Sequence, residues 1–400
     1  MRGRILALVG IVLVALTLRT AVGALSPIIG VVEHDIPLTA LLLAVIGAAP
    51  PLVFGLAGLL APLGSRRWGL EGAVVLSMGV QLVGHLLRAV APNPGVLVAG
   101  TVLALLGAGA GNVLLPPLVK RYFPDRVGLL TAVYVTIMSI GASTPPVVAV
   151  PIAEAAGWRT SLGMWALLAV VAAVPWLVHM VRSGRHVENL DTEARGIEAA
   201  QAGIGRRLFR SPIAWSMALG FGLPSMHAYA MFAWMPALTA DLSRVDPAQA
   251  GGLLGVFALC GIPAALLVPG LAVRLPSVRP LIFAGLLFFI AGYSGFLLAP
   301  AAAPLLWAVL VGLGPLMFPL ALTLINLRTR THAGSVALSG FVQGIGYVIG
   351  ALGPLVVGVL HNASGGWTLP IWFLLSKLVL AVPGLIVLGK KRFVEDEVAG

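Results

Sequence analysis

Arg19 is a permanent charge in a stretch of chain that otherwise has none. It lies near the middle of the apolar run from Ile5 to Ile29. At that depth in a bilayer an arginine costs at least about 2.5–3.5 kcal/mol, and such residues usually face a bundle interior or a wet cavity. Its helical neighbours Gly23, Ser26 and Gly30 are small or hydroxylic and share its face. That face suits a cavity in which the guanidinium, whose planar fork allows bidentate contact, holds an anionic or strongly dipolar solute through charge-assisted hydrogen bonds. The competing reading is a structural arginine bonded to main-chain carbonyls of a neighbouring helix.

Other polar groups sit inside apolar stretches. His227 shares a helical face with Pro224, Met231 and Trp234, and its imidazole either donates to a solute and titrates during a cycle or bonds an adjacent helix. Tyr134, Gln343 and Tyr347 offer hydroxyl and amide groups for neutral parts of a ligand, or for helix–helix hydrogen bonds. Asn112, Trp234 and Asn326 are expected to act in gating or packing. Arg66 and Arg67, in the turn Gly64-Ser65-Arg66-Arg67-Trp68-Gly69-Leu70-Glu71, are expected to pair with Glu71 or across the molecule and bias one conformation. Lys377 lies mid-span, where a local polar pocket is the simplest account.

The elements that carry these residues are membrane spans. Hydrophobic residues make up 59% of the 400, charged ones only 10%, and the mean hydropathy is +1.02, far outside the soluble range. Segments long enough to cross fall at 5–30, 41–62, 71–91, 96–117, 127–152 and 158–181. After a polar interval come 212–240, 248–270, 279–299, 302–325, 334–361 and 367–389. The expectation is an all-α integral membrane protein of twelve transmembrane helices. Its divisions are 1–181, a linker at 182–211, a second half at 212–389 and a tail at 390–400. Met1-Arg2-Gly3-Arg4 and Ala21-Val22-Gly23-Ala24 imitate a signal peptide and its cleavage site, but the apolar run continues to full spanning length, so an uncleaved first helix is expected.

If the connecting segments alternate between two sides, nearly all of the 25 Lys and Arg fall on the side of the termini. The exceptions are Arg88, Arg159 and Arg244 opposite, and Arg19 and Lys377 within spans. The positive-inside rule then puts both termini and the linker in the cytoplasm of a bacterial-type inner membrane. The net charge of +11 has no basic helix or aromatic-interleaved patch behind it, so nucleic acid is not an expected partner. The lone Cys260 excludes a cysteine metal site or disulfide. No HExxH, Walker loop or GxSxG elbow occurs, so no enzyme and no cofactor is expected. All 14 Asp and Glu lie outside the spans or at their ends. No mid-membrane carboxylate is therefore available as a proton carrier, and Arg19 repels cations.

The two groups of six spans repeat each other. Gly157-Trp158 recurs as Gly366-Trp367, Pro145 as Pro354, Arg121 as Arg330 and Pro27 as Pro236, all at one offset. Parallel six-span repeats with a solute site between them near mid-membrane are the architecture of major facilitator transporters. The repeat carries Arg19 onto His227 within one residue and Tyr134 onto Gln343. Arg19 and His227 both lie about 22 Å from the inner ends of their helices.

Four stretches resemble a known family. Gly109-Ala110-Gly111-Asn112-Val113-Leu114-Leu115-Pro116-Pro117-Leu118-Val119-Lys120-Arg121-Tyr122-Phe123-Pro124 is similar to the fourth-helix signature of the cyanate/2-nitroimidazole transporter family of the major facilitator superfamily. Phe318-Pro319-Leu320-Ala321-Leu322-Thr323-Leu324-Ile325-Asn326-Leu327-Arg328-Thr329-Arg330-Thr331 and Leu338-Ser339-Gly340-Phe341-Val342-Gln343 resemble its tenth and eleventh helices, and Ala233-Trp234-Met235-Pro236 the end of its seventh. In the first helix the family's Asn-Leu-Arg-Pro-Ala stands here as Thr17-Leu18-Arg19-Thr20-Ala21, so the arginine carries over while its neighbours change. The resemblance implies two pseudo-symmetric six-helix halves and secondary transport of small anions or small polar heterocycles. The partners expected are a small-molecule substrate and the lipid bilayer, with the chain a monomer. A multidrug efflux transporter of the same superfamily is the alternative.

Overall fold

The computed structural model describes residues 2–123, 125–183, 208–330, 332–389 and 392–398; most of the expected linker lies outside the described residues. Helices begin where the sequence provides caps. Thr39, Asn93, Ser211 and Asp246 each accept a hydrogen bond from the backbone N–H three residues on, and Pro94, Pro212 and Pro247 follow three of them at the position where a missing N–H costs nothing. The second and third spans run as Ala40–Ala89, broken at Gly69 with φ 72° and ψ 171°. That backbone conformation is one only glycine adopts readily, and it supplies the turn expected at 64–71.

Among the described residues eleven segments are long and apolar enough to cross a membrane. The helix Pro212–Ser243 spans 32 residues but is not one of the eleven. Its Pro, Ser, Gly, His and Trp content dilutes the hydropathy, and much of it is buried by neighbouring helices rather than facing lipid.

The internal repeat has a structural reason. Trp158 Nε1 donates to Asp35 at 2.9 Å, and Trp367 Nε1 donates to Asp241 at 2.8 Å. Each bond ties the end of one half's first helical stretch to the start of its last. Trp158 and Arg159 together hold the Asp35 carboxyl below its ordinary range, the Trp158 bond contributing most. Each half has its own apolar core, Ile11, Val14, Leu115 and Trp176 in one and Phe221, Phe289, Tyr293 and Phe296 in the other.

Among the described residues the halves touch along part of their length. On the helix from Ala40, Ala44 meets Gly358 of the second half, Gly47 meets Ala233 and Pro354, and Pro51 meets Gly350. One and two turns further along the same face, no described residue lies within 4 Å of where a Cβ on Gly55 or Gly58 would stand. The helix His332–Ser364 behaves likewise, open at Gly340 and Gly344 and closed at Gly350 and Gly358. Side chains three or four apart share a helix face, so this is a V-shaped cleft, open toward the end that carries the termini. At that end the short helix Val394–Val398 is tied down by Arg330 to Asp396 at 3.1 Å and by the Ile213 N–H to Glu397 at 3.3 Å.

Candidate substrate site

At the apex of the cleft the first span stops being one helix. Arg2–Thr17 ends, Arg19 takes φ −118° and ψ −2°, a short turn Thr20–Gly23 follows, and a 3₁₀ turn covers Ser26–Ile28. Pro27 removes a backbone donor there. The Thr17 and Thr20 hydroxyls bond back to the carbonyls of Val14 and Thr17, a pattern that bends helices. The Thr17 carbonyl also accepts from Gln81 Nε2 at 2.9 Å. Gln81 is fully buried, and its amide holds the break in shape. On the fifth span Gly141 lets the first helix approach so closely that any Cβ there would overlap the Leu16 carbonyl.

The break aims Arg19 across the interface. Nη1 donates to the Tyr229 hydroxyl of the second half at 3.3 Å, and Cζ stands 5.1 Å from the centre of the Phe54 ring, within cation–π range. Tyr347 is close enough to couple electrostatically to both Arg19 and Tyr229, and its ring meets Phe221 edge-on at 5.2 Å. Beyond Arg19, toward the closed end, Ser26 donates to the Phe232 carbonyl at 2.7 Å. A cavity of about 30 Å³ lies between Ser26, Gly47, Tyr229 and Trp234. It is room for little more than water.

Of the residues singled out from sequence, Arg19 and Tyr347 come together; the others do not. His227 is fully buried inside the second half, its Nδ1 3.0 Å from the Tyr293 hydroxyl and its ring stacked on Phe289 at 4.2 Å. Gln343 donates to Ser339 one turn back on its own helix at 2.8 Å, and Tyr134 is half-buried against the first half's core. Trp234 is buried and donates to the Pro354 carbonyl at 2.9 Å, joining the seventh and eleventh spans. Asn112 is half-buried and Arg67 exposed over the Trp68 ring. The side chains of Arg66 and Asn326 lie outside the described residues. Glu71 is engaged by Arg121 at 3.6 Å and by the Tyr122 hydroxyl, which also meets His179 at 2.8 Å. Burial first, then the Glu71 bond, hold the Tyr122 phenol above its ordinary range. Lys377 lies over the Phe373 ring at 5.3 Å. One sequence reading needs correction. Arg88, assigned to the boundary opposite the termini, is fully buried within its span.

Sequence reasoning missed Tyr229, Phe54 and Gln81. The repeat pointed at position 227 because it aligned a broken helix with a continuous one. Two residues on, about 200° around the helix, Tyr229 faces the cleft instead. Because His227 serves the core, His227→Ala is expected to leave the buried Tyr293 hydroxyl without its partner and to destabilise by about 1–3 kcal/mol. Thermal unfolding should show the loss, while the pH dependence and KM of transport stay those of the parent. A shifted pH profile would return His227 to the transport cycle.

Two facing helical halves with a polar apex define a polytopic solute carrier. A family model described as Major Facilitator Superfamily matches residues 11–351, and the chain belongs to that superfamily, in the branch holding the cyanate and 2-nitroimidazole transporters. It is 32% identical over 387 residues to the 2-nitroimidazole transporter of Escherichia coli (strain K12), covering 96% of this chain and 95% of that one. It is 27% identical over 383 residues to the cyanate transport protein CynX of the same strain, covering 94% of each. An uncharacterized transporter of Bacillus subtilis (strain 168), YycB, is 31% identical over 390 residues, covering 96% of this chain and 94% of that one. A crystal structure of a bacterial homolog of the human lysosomal transporter Spinster, inward-facing and occupied, superposes with a TM-score of 0.75 at 12% identity, covering 99% and 98% of the two chains. The protein is a multi-pass membrane transporter, with the fold and relatives of proteins that are not enzymes.

Proposed function

We propose that this chain is a secondary active transporter that moves a small anion or small polar heterocycle across the bacterial inner membrane by alternating access, with both termini in the cytoplasm. The observation that carries the reading is the Arg19 guanidinium, aimed across the apex of the cleft at Tyr229, between the halves. In that orientation the cleft opens to the cytoplasm and the contacts beyond Ser26 form the outer seal. Arg19 supplies the fixed positive charge, Tyr229 and Tyr347 supply hydroxyls, and Phe54 supplies a ring face for a planar guest. Relatives whose names say that they move 2-nitroimidazole and cyanate support a small planar or anionic substrate.

Radiolabelled uptake into proteoliposomes tests this with a panel of small anions, azoles and lipophilic cations as competitors. Small anions or azoles should be transported and compete with one another, and lipophilic cations should not. Transport of the cations with indifference to the anions would favour an efflux pump for drugs.

A further inference from the structure

The third span carries polar side chains that the apex site leaves partly unused. Ser77, Gln81, His85 and Arg88 share one face of the helix, and Gln81, His85 and Arg88 are fully buried. Gln81 donates its Nε2 to the Thr17 carbonyl, while its Oε1 has no partner among the described residues. His85 and Arg88 are less well served. All three guanidinium nitrogens of Arg88 and both ring nitrogens of His85 lack a hydrogen-bond partner among the described residues; the Leu162 main chain approaches His85 without meeting hydrogen-bond geometry.

An arginine cannot shed its charge and carries five N–H donors with no acceptor, and a neutral imidazole adds one donor and one acceptor. Buried charges are paired or they are heavily penalised. At this end of the molecule the carboxylate of Asp35 is already held by Trp158 Nε1 at 2.9 Å and Arg159 Nη1 at 2.6 Å. Arg159 reaches the Ala91 carbonyl at 3.5 Å, adding positive rather than negative charge. The helix from Pro94 meets this face with Gly100 and Ala104, and the helix from Trp158 brings Gly163 against Ala89. Neither contributes an acid here. A proton on His85 would be repelled by Arg88, so the pair is poorly suited to carrying protons. Unpaired donors outnumber the two acceptors at hand, one His85 ring nitrogen and Gln81 Oε1, and that excess around an uncompensated positive charge suits an anion.

We propose that Arg88 and His85 form a second anion site inside the first half, apart from Arg19, that takes a monatomic inorganic anion of the halide class. Close packing sets the size. A Cβ on Gly100 would stand 3.0 Å from Arg88 Cγ, and one on Gly84 2.7 Å from the Ala104 Cα, so the neighbouring helices leave no room for an organic guest. The anion neutralises a charge that sits two turns from the glutamine bracing the helix break, and so stabilises the half that presents Arg19.

The test is thermal unfolding of the full chain in detergent, in sodium chloride against sodium gluconate at equal ionic strength. Chloride should raise Tm saturably in the parent and in Arg19→Gln, and the rise should vanish in Arg88→Gln and need several-fold more chloride in His85→Leu. Equal Tm of the parent in both salts overturns the proposal. So does a chloride effect lost in Arg19→Gln and kept in Arg88→Gln, which would put the halide at the transport site. If Arg88→Gln does not fold, anomalous scattering from crystals of the parent grown in bromide decides: a peak beside Arg88 supports the site, and none there rejects it.

Discussion

Replacing Arg19 by alanine is expected to lower transport roughly 30- to 5,000-fold, the equivalent of the 2–5 kcal/mol lost when one partner of a desolvated charge contact is removed. The same change should leave Tm unaltered or slightly raised. The two halves of this expectation have one cause. Arg19 donates to a neutral phenol at 3.3 Å and stands over Phe54, and no salt bridge pairs it with a carboxylate among the described residues. A membrane-embedded charge without a counter-charge is a liability to folding, so deleting it costs the fold little and removes only what the solute uses. Arg19→Lys should fall between, because lysine keeps the charge but loses the planar fork. Uptake in proteoliposomes beside a melting curve of each variant checks both halves. Loss of transport in step with loss of Tm would mean that the arginine is a structural brace.

The fold was legible from sequence because its signals are long and redundant. Span lengths, caps such as Asn93-Pro94 and Asp246-Pro247, and the Gly157-Trp158 and Gly366-Trp367 pair each repeat the same message, and the last of these proves to mark two equivalent Trp–Asp bonds. The site was legible only in part. Arg19 declares itself because a charge inside an apolar run has few explanations. Tyr229 does not, since a tyrosine in a span is unremarkable until the helix opposite breaks. The break itself depends on Gln81, far away in sequence, and on Gly141 admitting the Leu16 carbonyl. Arg88 was misread because a basic residue near a span's end resembles a boundary charge. Only packing by Gly100 and its neighbours shows that it is enclosed. His227 lies away from the cleft for a physical reason: repeat equivalence preserves position along a helix, while a kink in one copy changes which way the side chain points.

The second large effect concerns motion. On the helix Pro247–Leu259, Gly251 and Gly255 lie one turn apart against the fifth span. A Cβ on Gly251 would overlap the Pro146 carbonyl oxygen, and one on Gly255 would overlap the Val147 side chain while standing 3.1 Å from the Ser143 carbonyl. Backbone cannot yield as a flexible side chain can, so Gly251→Val overpacks the seal at an expected cost of about 1–3 kcal/mol. That amounts to a shift of about 5- to 150-fold in the balance between closed and open states at this end. The apex residues are untouched, so substrate affinity should persist while maximal turnover falls by a similar factor. With Cys260→Ala to remove the native thiol, Ser26→Cys placed in the seal reports the change directly. A membrane-impermeant maleimide added from outside should label it slowly in the parent and much faster once Gly251→Val is added. Labelling that stays slow while turnover falls would show that the seal still closes and that the loss arises elsewhere in the cycle. Alternating access through this seal requires the opposite, since a carrier that cannot shut one door cannot usefully open the other.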